Sequence, residues 1–210
     1  MKIIGFSGRK QSGKTSAAEE LLPVLGRCDA SSDHGLLWAR YSARKQMSTI
    51  NDVAIVNFAD ALKDIVGRLF DIPGKDLHGS DGRKNRILPC GKSIREVLQI
   101  VGTDWFRTLD PDYWVMQYDK TMRGMARVWG PDKWIILTAD VRFPNEVHCI
   151  QQQGGHVIRL LRAPFAEDAH KSETALDDFE GFDAVIDNRE MTEEQKSAAI
   201  MKVITEKEWL

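Results

Sequence analysis

The order of apolar patterns in this 210-residue chain predicts an α/β fold with a mainly parallel sheet. Short apolar runs, several rich in β-branched residues, alternate with stretches whose apolar residues recur at helical spacing. Crossovers between parallel strands align the strand C-termini, so the loops after residues 7, 58, 139 and 161 share one edge. Charged residues gather at those loops, which marks that edge as the candidate site.

The elements follow in order. Residues 2–7 read as a buried strand, and a helix over 14–25 carries Ala17, Ala18, Leu21, Leu22 and Leu25 on one face. Between them, Gly8-Arg9-Lys10-Gln11-Ser12-Gly13-Lys14-Thr15 matches the phosphate-binding pattern G-x-x-x-x-G-K-[ST]. Gly8 and Gly13 permit a tight backbone whose N–H groups face phosphate oxygens, and the helix N-terminus behind them favours an anion. Lys14 is then placed to reach the β- and γ-phosphates, and the Thr15 hydroxyl to ligate Mg²⁺. Arg9, Lys10, Gln11, Ser12 and Ser16 complete the candidate cofactor-binding set; Lys10 either adds positive charge or faces solvent.

Residues 26–52 are turn-rich, and 53–58 form a second apolar run. Leu62, Ile65, Val66, Leu69 and Phe70 predict a helix over 60–70, with Pro73 just beyond it. Residues 73–92 read as a polar connection. Ser93 with Glu96 gives a capping box for a helix with Ile94, Val97, Leu98 and Val101 on its apolar face. Pro111, capped by Asp110, is read as the first residue of a helix reaching about Arg127. Residues 134–139 are a third apolar run ending at Asp140, and a helix over 144–153 stops at Gly154-Gly155. Residues 156–161 are a fourth strand, 162–182 a polar loop and 184–186 a fifth strand, and Thr192 opens the last helix.

Composition narrows the classes. Hydrophobic residues make up 42% and charged residues 29%, as in a soluble globular protein of one domain. A net charge of −2 argues against a nucleic-acid partner. No segment approaches a membrane span, and the first apolar run breaks too early for a signal peptide. Three scattered cysteines form neither a disulfide framework nor a zinc site and suit the cytoplasm.

Asp140 closes an apolar run where phosphate-loop proteins hold a carboxylate near Mg²⁺; the alternative is a cap or turn aspartate. Arg95, Arg107, Arg142, Arg159 and Arg162 supply guanidinium groups able to neutralise two facing phosphates. A phosphate acceptor is already nucleophilic at neutral pH, whereas a hydroxyl acceptor wants a carboxylate base, for which Asp60 and Asp104 are candidates. Three readings stay open on the residues alone: a nucleotide kinase, a kinase acting on a hydroxyl such as that of dephospho-coenzyme A or a nucleoside, and a nucleotide-binding switch module.

Several blocks resemble a known family. Asn57-Phe58-Ala59-Asp60-Ala61-Leu62-Lys63 is similar to the F-A-D-x-L-K block of phage-type deoxynucleoside monophosphate kinases. The stretch Arg95 to Asp104 resembles its R-x-x-L-Q-x-x-G-T-[DE] block, followed by Arg107 and by Asp112-Tyr113-Trp114. Asp140-Val141-Arg142-Phe143-Pro144-Asn145-Glu146 resembles D-V-R-F-P-N-E, and His170-Lys171-Ser172-Glu173 resembles H-x-S-E. The blocks stand in family order from residue 5 to about 188.

The resemblance implies a P-loop, nucleoside-monophosphate-kinase-like fold, with a sheet of about five parallel strands flanked by helices and mobile lid segments. It implies one kinase domain over 1–210, with a helical acceptor-binding insertion over 72–130 and a lid-like loop over 162–182. The implied reaction passes the γ-phosphoryl group of ATP, with Mg²⁺, to a deoxynucleoside monophosphate. Lys14, Arg142 and Arg162 become candidate catalytic residues. Asp60, Lys63, Arg95, Gln99, Asp104, Arg107, Trp114, Asp140, Arg142, Glu146 and Glu173 become candidate substrate-binding residues, and Thr15 and Asp140 candidate metal ligands. Trp114 either stacks on a base or sugar or belongs to a helix core. A homodimer and, for a phage-encoded chain, the host cytoplasm are implied as well. Family members often read Gly-Lys-Asp-Thr where this chain has Gly13-Lys14-Thr15-Ser16, which leaves open whether Thr15 handles the metal alone or with Ser16.

Overall fold

The computed structural model describes residues 1–25, 49–50, 52–78, 81–130, 134–162 and 170–210. Most of the turn-rich stretch 26–52, and residues 163–169 of the lid-like loop, lie outside the described residues. The chain divides into two compact units, Met1–Asn57 with Met122–Leu210, and Phe58–Thr121.

The first unit is built on a sheet. Strands β1 (Lys2–Ser7), β2 (Thr49–Ile50), β3 (Val53–Ile55), β4 (Ile135–Val141), β5 (His156–Leu160) and β6 (Ala184–Ile186) lie in the order β2-β3-β4-β1-β5-β6. The five strands β3 to β6 with β1 pair in parallel, as the sequence predicts. Strand β2 adds a short antiparallel partner to β3. A two-residue strand is too short to leave a periodic signal, which is why it went unread. The run 53–58 leaves strand geometry after Ile55. Val56 N–H still bonds the Leu137 carbonyl at 3.0 Å, and the Asn57 side chain accepts from the Ala139 N–H at 2.9 Å.

Central strand β1 is apolar from Ile3 to Phe6 because both its faces are covered. Ile4 and Phe6 point into a core shared with Ala17, Ala18, Leu21 and Leu22 of the helix Lys14–Leu25 and with Ile200 and Ile204 of the helix Glu193–Glu206. Ile3, one residue out of phase, packs on the opposite face, where Gly155 approaches it beside Ile150. The helix Pro144–Gln152 starts with proline in its first turn and runs into Gly154 at φ +75°, the stop anticipated from the sequence.

The topology locates a switch point in the sheet. The chain leaves β1 toward β3 on one side, and leaves the neighbouring β4 toward β5 on the other. Ligands of open α/β sheets bind outside the strand C-termini at such a switch point. The pairing is also irregular there. Gly5 faces Thr138 but Ser7 faces Val141, so an extra residue falls at Ala139–Asp140 of β4. Asp140 therefore sits inside a strand and is neither a cap nor a turn residue.

The second unit is helical. The helix Asp60–Leu69 matches the expected stripe, and the helix Ile94–Gln99 carries the expected capping box, with Ser93 and Glu96 bonded reciprocally. Three details differ from the sequence reading. The connection 73–92 contains the single-turn helices Gly74–Leu77 and Asp81–Lys84 and a bridge between Ile87 and Ser93. The helix after Gln99 widens into a π-helical segment, Ile100–Phe106, before Arg107–Leu109. The next helix begins at Tyr113, not Pro111, because the Asp110 carboxylate takes the Asp112 N–H at 2.9 Å in a turn. Leu62, Val66, Leu77, Ile94, Val97, Val101 and Trp114 form this unit's own core.

Candidate active site

The glycine-rich loop leaves β1 and closes on the N-terminus of the helix Lys14–Leu25. Gly8 has φ +153° and Gly13 φ +90°. A β-carbon on Gly8 would lie 2.7 Å from the Leu160 carbonyl, so both backbone angle and space require glycine. Gln11 also adopts a left-handed conformation, φ 60°, an uncommon state for a residue with a β-carbon. The loop curls round the Lys14 ammonium group, which donates to the Gly8 carbonyl at 2.6 Å and the Arg9 carbonyl at 2.7 Å, with Ser12 Oγ at 3.4 Å. Lys14 is 7% exposed. Burial, reinforced by the Arg142 and Arg159 charges and opposed by Glu173 and Asp140, lowers its pKa to about 7.

Those four neighbours come from three other elements, and their arrangement explains the blocks of the sequence. Arg142 follows β4. Its backbone N–H and that of Phe143 donate to Glu146 Oε2 at 2.7 and 3.1 Å. Glu146 is almost wholly buried, so its carboxylate sets the backbone at Arg142 and is not presented to a substrate, a correction to its expected binding role. The Arg142 guanidinium pairs with Glu173 and donates to the Ser172 carbonyl at 3.2 Å. Glu173 is 7% exposed, and its second oxygen is buried with no hydrogen-bond partner among the described residues. The short helix that carries it, Lys171–Thr174, is capped by His170, whose Nδ1 accepts the Ser172 N–H.

A second carboxylate one turn on, Asp177, binds two more arginines. Arg9 grips it with Nε at 3.2 Å and Nη2 at 2.6 Å, and Arg159 Nη2 donates at 3.2 Å. Arg159 also donates to Ser7 Oγ at 3.0 Å, which ties β5 to the start of the loop. The strand ends thus bring Arg9, Lys14, Asp140, Arg142 and Arg159 into one electrostatic neighbourhood.

Arg162 is held differently. Its backbone N–H donates to the Asn188 side chain at 2.9 Å, and its guanidinium lies 3.9 Å from Glu193. Asn188 in turn donates to the Ser12 carbonyl at 2.9 Å. Neither Asn188 nor the buried Lys196, which donates to Ser16 Oγ at 2.7 Å, was singled out from sequence. Two signals were present. Asn188 follows the fifth strand at the site edge, and Lys196 shares the apolar spacing of Ile200 and Ile204. The Ser16 hydroxyl is engaged by Lys196 and by the Gly13 carbonyl, whereas Thr15 is exposed. Of the two, Thr15 has the more exposed side chain.

The remaining candidates belong to the helical unit. Asp60 and Lys63 form an i,i+3 pair at 3.8 Å. Arg95 and Gln99 are half-buried one turn apart on Ile94–Gln99, and Asp104 is exposed in the π-helical segment. Arg107 Nη1 donates to the Pro111 carbonyl at 2.9 Å. Trp114 is 3% exposed, donates from Nε1 to the Gly102 carbonyl at 2.7 Å and packs against Phe106 and Tyr113. Its ring belongs to the core, and the stacking alternative is set aside.

Comparison with known proteins identifies the family. A model of the family described as deoxynucleotide monophosphate kinase matches residues 84–199. A protein of Acanthamoeba polyphaga mimivirus named "Putative deoxynucleotide monophosphate kinase" is 30% identical over 219 residues, covering 95% of this chain and 95% of that protein. With a glycine-rich loop closed on a buried lysine, an arginine-rich strand edge and a relative matching almost end to end, the chain belongs to the deoxynucleotide monophosphate kinase family, a family of transferases.

Proposed function

We propose that the protein transfers the γ-phosphoryl group of ATP to the 5′-phosphate of a deoxynucleoside monophosphate, in line and with Mg²⁺. The observation that carries this reading is the gathering of Lys14, Arg142 and Arg159 with Asp140 at the mouth of the glycine-rich loop. Loop N–H groups and Lys14 hold the β- and γ-phosphates, and Gly13, at φ +90°, supplies the left-handed backbone that the loop needs. Arg142 and Arg162 neutralise charge that builds on the transferring group.

The donor set suits magnesium that arrives with its nucleotide. The described residues contain no group of three or more His, Cys, Asp or Glu side chains able to hold a metal ion. Mg²⁺ is commonly held by one or two protein oxygens together with substrate phosphates, and Thr15 and Asp140 are the oxygens in question. Thr15 and Asp140 would hold the ion, which would offset charge on the phosphate oxygens.

Asp60, Lys63, Arg95, Gln99, Asp104 and Arg107 are assigned to the acceptor, within the helical stretch expected at 72–130 and the helix just before it. Glu173 holds Arg142 through their ion pair. Glu146 positions Arg142. The acceptor phosphate is its own nucleophile, so positioning and charge neutralisation suffice without a general base. Incubation with ATP, Mg²⁺ and each deoxynucleoside monophosphate, followed by chromatography, is expected to yield a diphosphate with at least one. No product with any of them overturns the reading. Asp60→Asn and Asp104→Asn discriminate against a hydroxyl acceptor: a selective collapse of turnover in either one would indicate a carboxylate base.

A further inference from the structure

Lys196 lies outside every motif and outside the roles given above, yet at 1% exposed it is the most deeply buried charged side chain among the described residues. Its stem runs against the phosphate-binding loop. A β-carbon on Gly13 would come within 3.2 Å of Lys196 Nζ and 3.4 Å of Cδ. Nζ donates to Ser16 Oγ at 2.7 Å and pairs with Glu193, with Glu20 at 3.9 Å. Ser16 Oγ donates onward to the Gly13 carbonyl at 3.1 Å. One ammonium group therefore secures two parts of the loop: the left-handed peptide at Gly13 and the first turn of the helix behind it. Glu193 and Glu20 balance its charge, so its contribution is geometric rather than a net positive field.

We propose that Lys196 is a positioning residue of the phosphate-binding loop, acting through Ser16 to hold Gly13 and the first helical turn in the phosphate-accepting arrangement. The inference rests on the reading of the loop as a triphosphate site. A loop without this tie has to be ordered by its ligand, and that ordering is drawn from the binding free energy. Triphosphate affinity falls, while contacts to the acceptor are unaffected.

The test is calorimetric titration of Mg²⁺–ATP and, separately, of a deoxynucleoside monophosphate into the wild type, Lys196→Met, Ser16→Ala and the double variant. Methionine keeps the bulk of the stem, and the Glu193 carboxylate it leaves is 45% exposed and stays solvated. Each single variant is expected to bind ATP roughly five- to tenfold more weakly, the loss of one charge-assisted hydrogen bond. The double variant is expected to lose no more than either single one, with monophosphate affinity within about twofold of wild type. ATP affinity within twofold of wild type in either single variant, additive losses in the double, or equal losses for both ligands overturn the proposal. Ser16→Ala alters only a half-buried hydroxyl and decides the matter should Lys196→Met fail to fold. A wild-type protein that binds no ATP overturns the triphosphate reading itself, an outcome distinct from all of these.

Discussion

The two compact units treat polar side chains in opposite ways. Ser7, Ser12, Lys14, Thr138, Glu146, Glu173, Asn188 and Lys196 are the polar side chains fully buried among the described residues, and all belong to the sheet unit. Among its described residues the helical unit buries aliphatic and aromatic side chains to that degree, and its charged candidate binding residues are half-buried or exposed. Taking a charge from water is costly unless partners replace the water. The sheet unit meets that cost with a chain of partners: Lys14 in backbone carbonyls, Glu146 on two N–H groups, Lys196 on Ser16 and Glu193. Polar groups desolvated together and aimed at one loop are the mark of a preorganised site. In the helical unit apolar packing supplies the stability, and the charged residues stand at or near its surface.

The largest expected effect tests the sheet unit. Lys14→Ala should reduce turnover on the order of a thousand-fold, since it removes the charge nearest the transferring phosphate. Its denaturation midpoint should stay near that of the wild type, because the alanine relieves a desolvated amine. An unfolded variant, or retained turnover, would make Lys14 a structural residue and erase the contrast between the units.

Trp114→Ala tests the helical unit in the opposite sense. It removes a large buried ring and the bond to the Gly102 carbonyl, and should cost about 3–5 kcal/mol in chemical denaturation. A small loss of stability with a large rise in the monophosphate KM would instead return Trp114 to the binding surface.

The finest test concerns protons. Lys14 titrates near 7 in the folded chain, below its ordinary 10.5, so between those pH values the folded state binds fewer protons than the unfolded one. Its contribution makes stability rise with pH across that window, and Lys14→Met should flatten the slope. A polyphosphate beside the amine favours its charged form. Binding of ATP at pH 8 should therefore take up a fraction approaching one proton, measured by calorimetry in buffers of different ionisation enthalpy. Uptake unchanged in Lys14→Met would place the titrating group elsewhere.

Legibility from sequence followed the range of the interactions. The strand Lys2–Ser7, the loop and the helix Lys14–Leu25 were read at their observed bounds, because burial pattern, glycine placement and helix spacing are all local. The same holds for the capping box of Ser93 with Glu96 and the stop at Gly154. The π-helical segment Ile100–Phe106 was not legible: Leu62 lies so close that a β-carbon on Gly102 would come within 2.6 Å of it, a contact 40 residues distant in the chain. Glu146 was given a binding task and Trp114 was left between ligand and core, since the same residue type in the same block serves ligand or scaffold according to what packs around it.

The phosphate-binding loop and the alternation of strands and helices were written in residues close together in the chain, whose spacing is itself the physical cause, and the family showed as a resemblance of blocks in order along the chain. The bulge that places Asp140 within β4, the carboxylates that hold Arg9, Arg142 and Arg159, and the buried Lys196 behind Gly13 come from pairs far apart in the chain. Their meeting depends on how the sheet registers and how the last helix packs. Burial, which turns an ordinary lysine or glutamate into a positioned one, arises only when those distant surfaces close on each other.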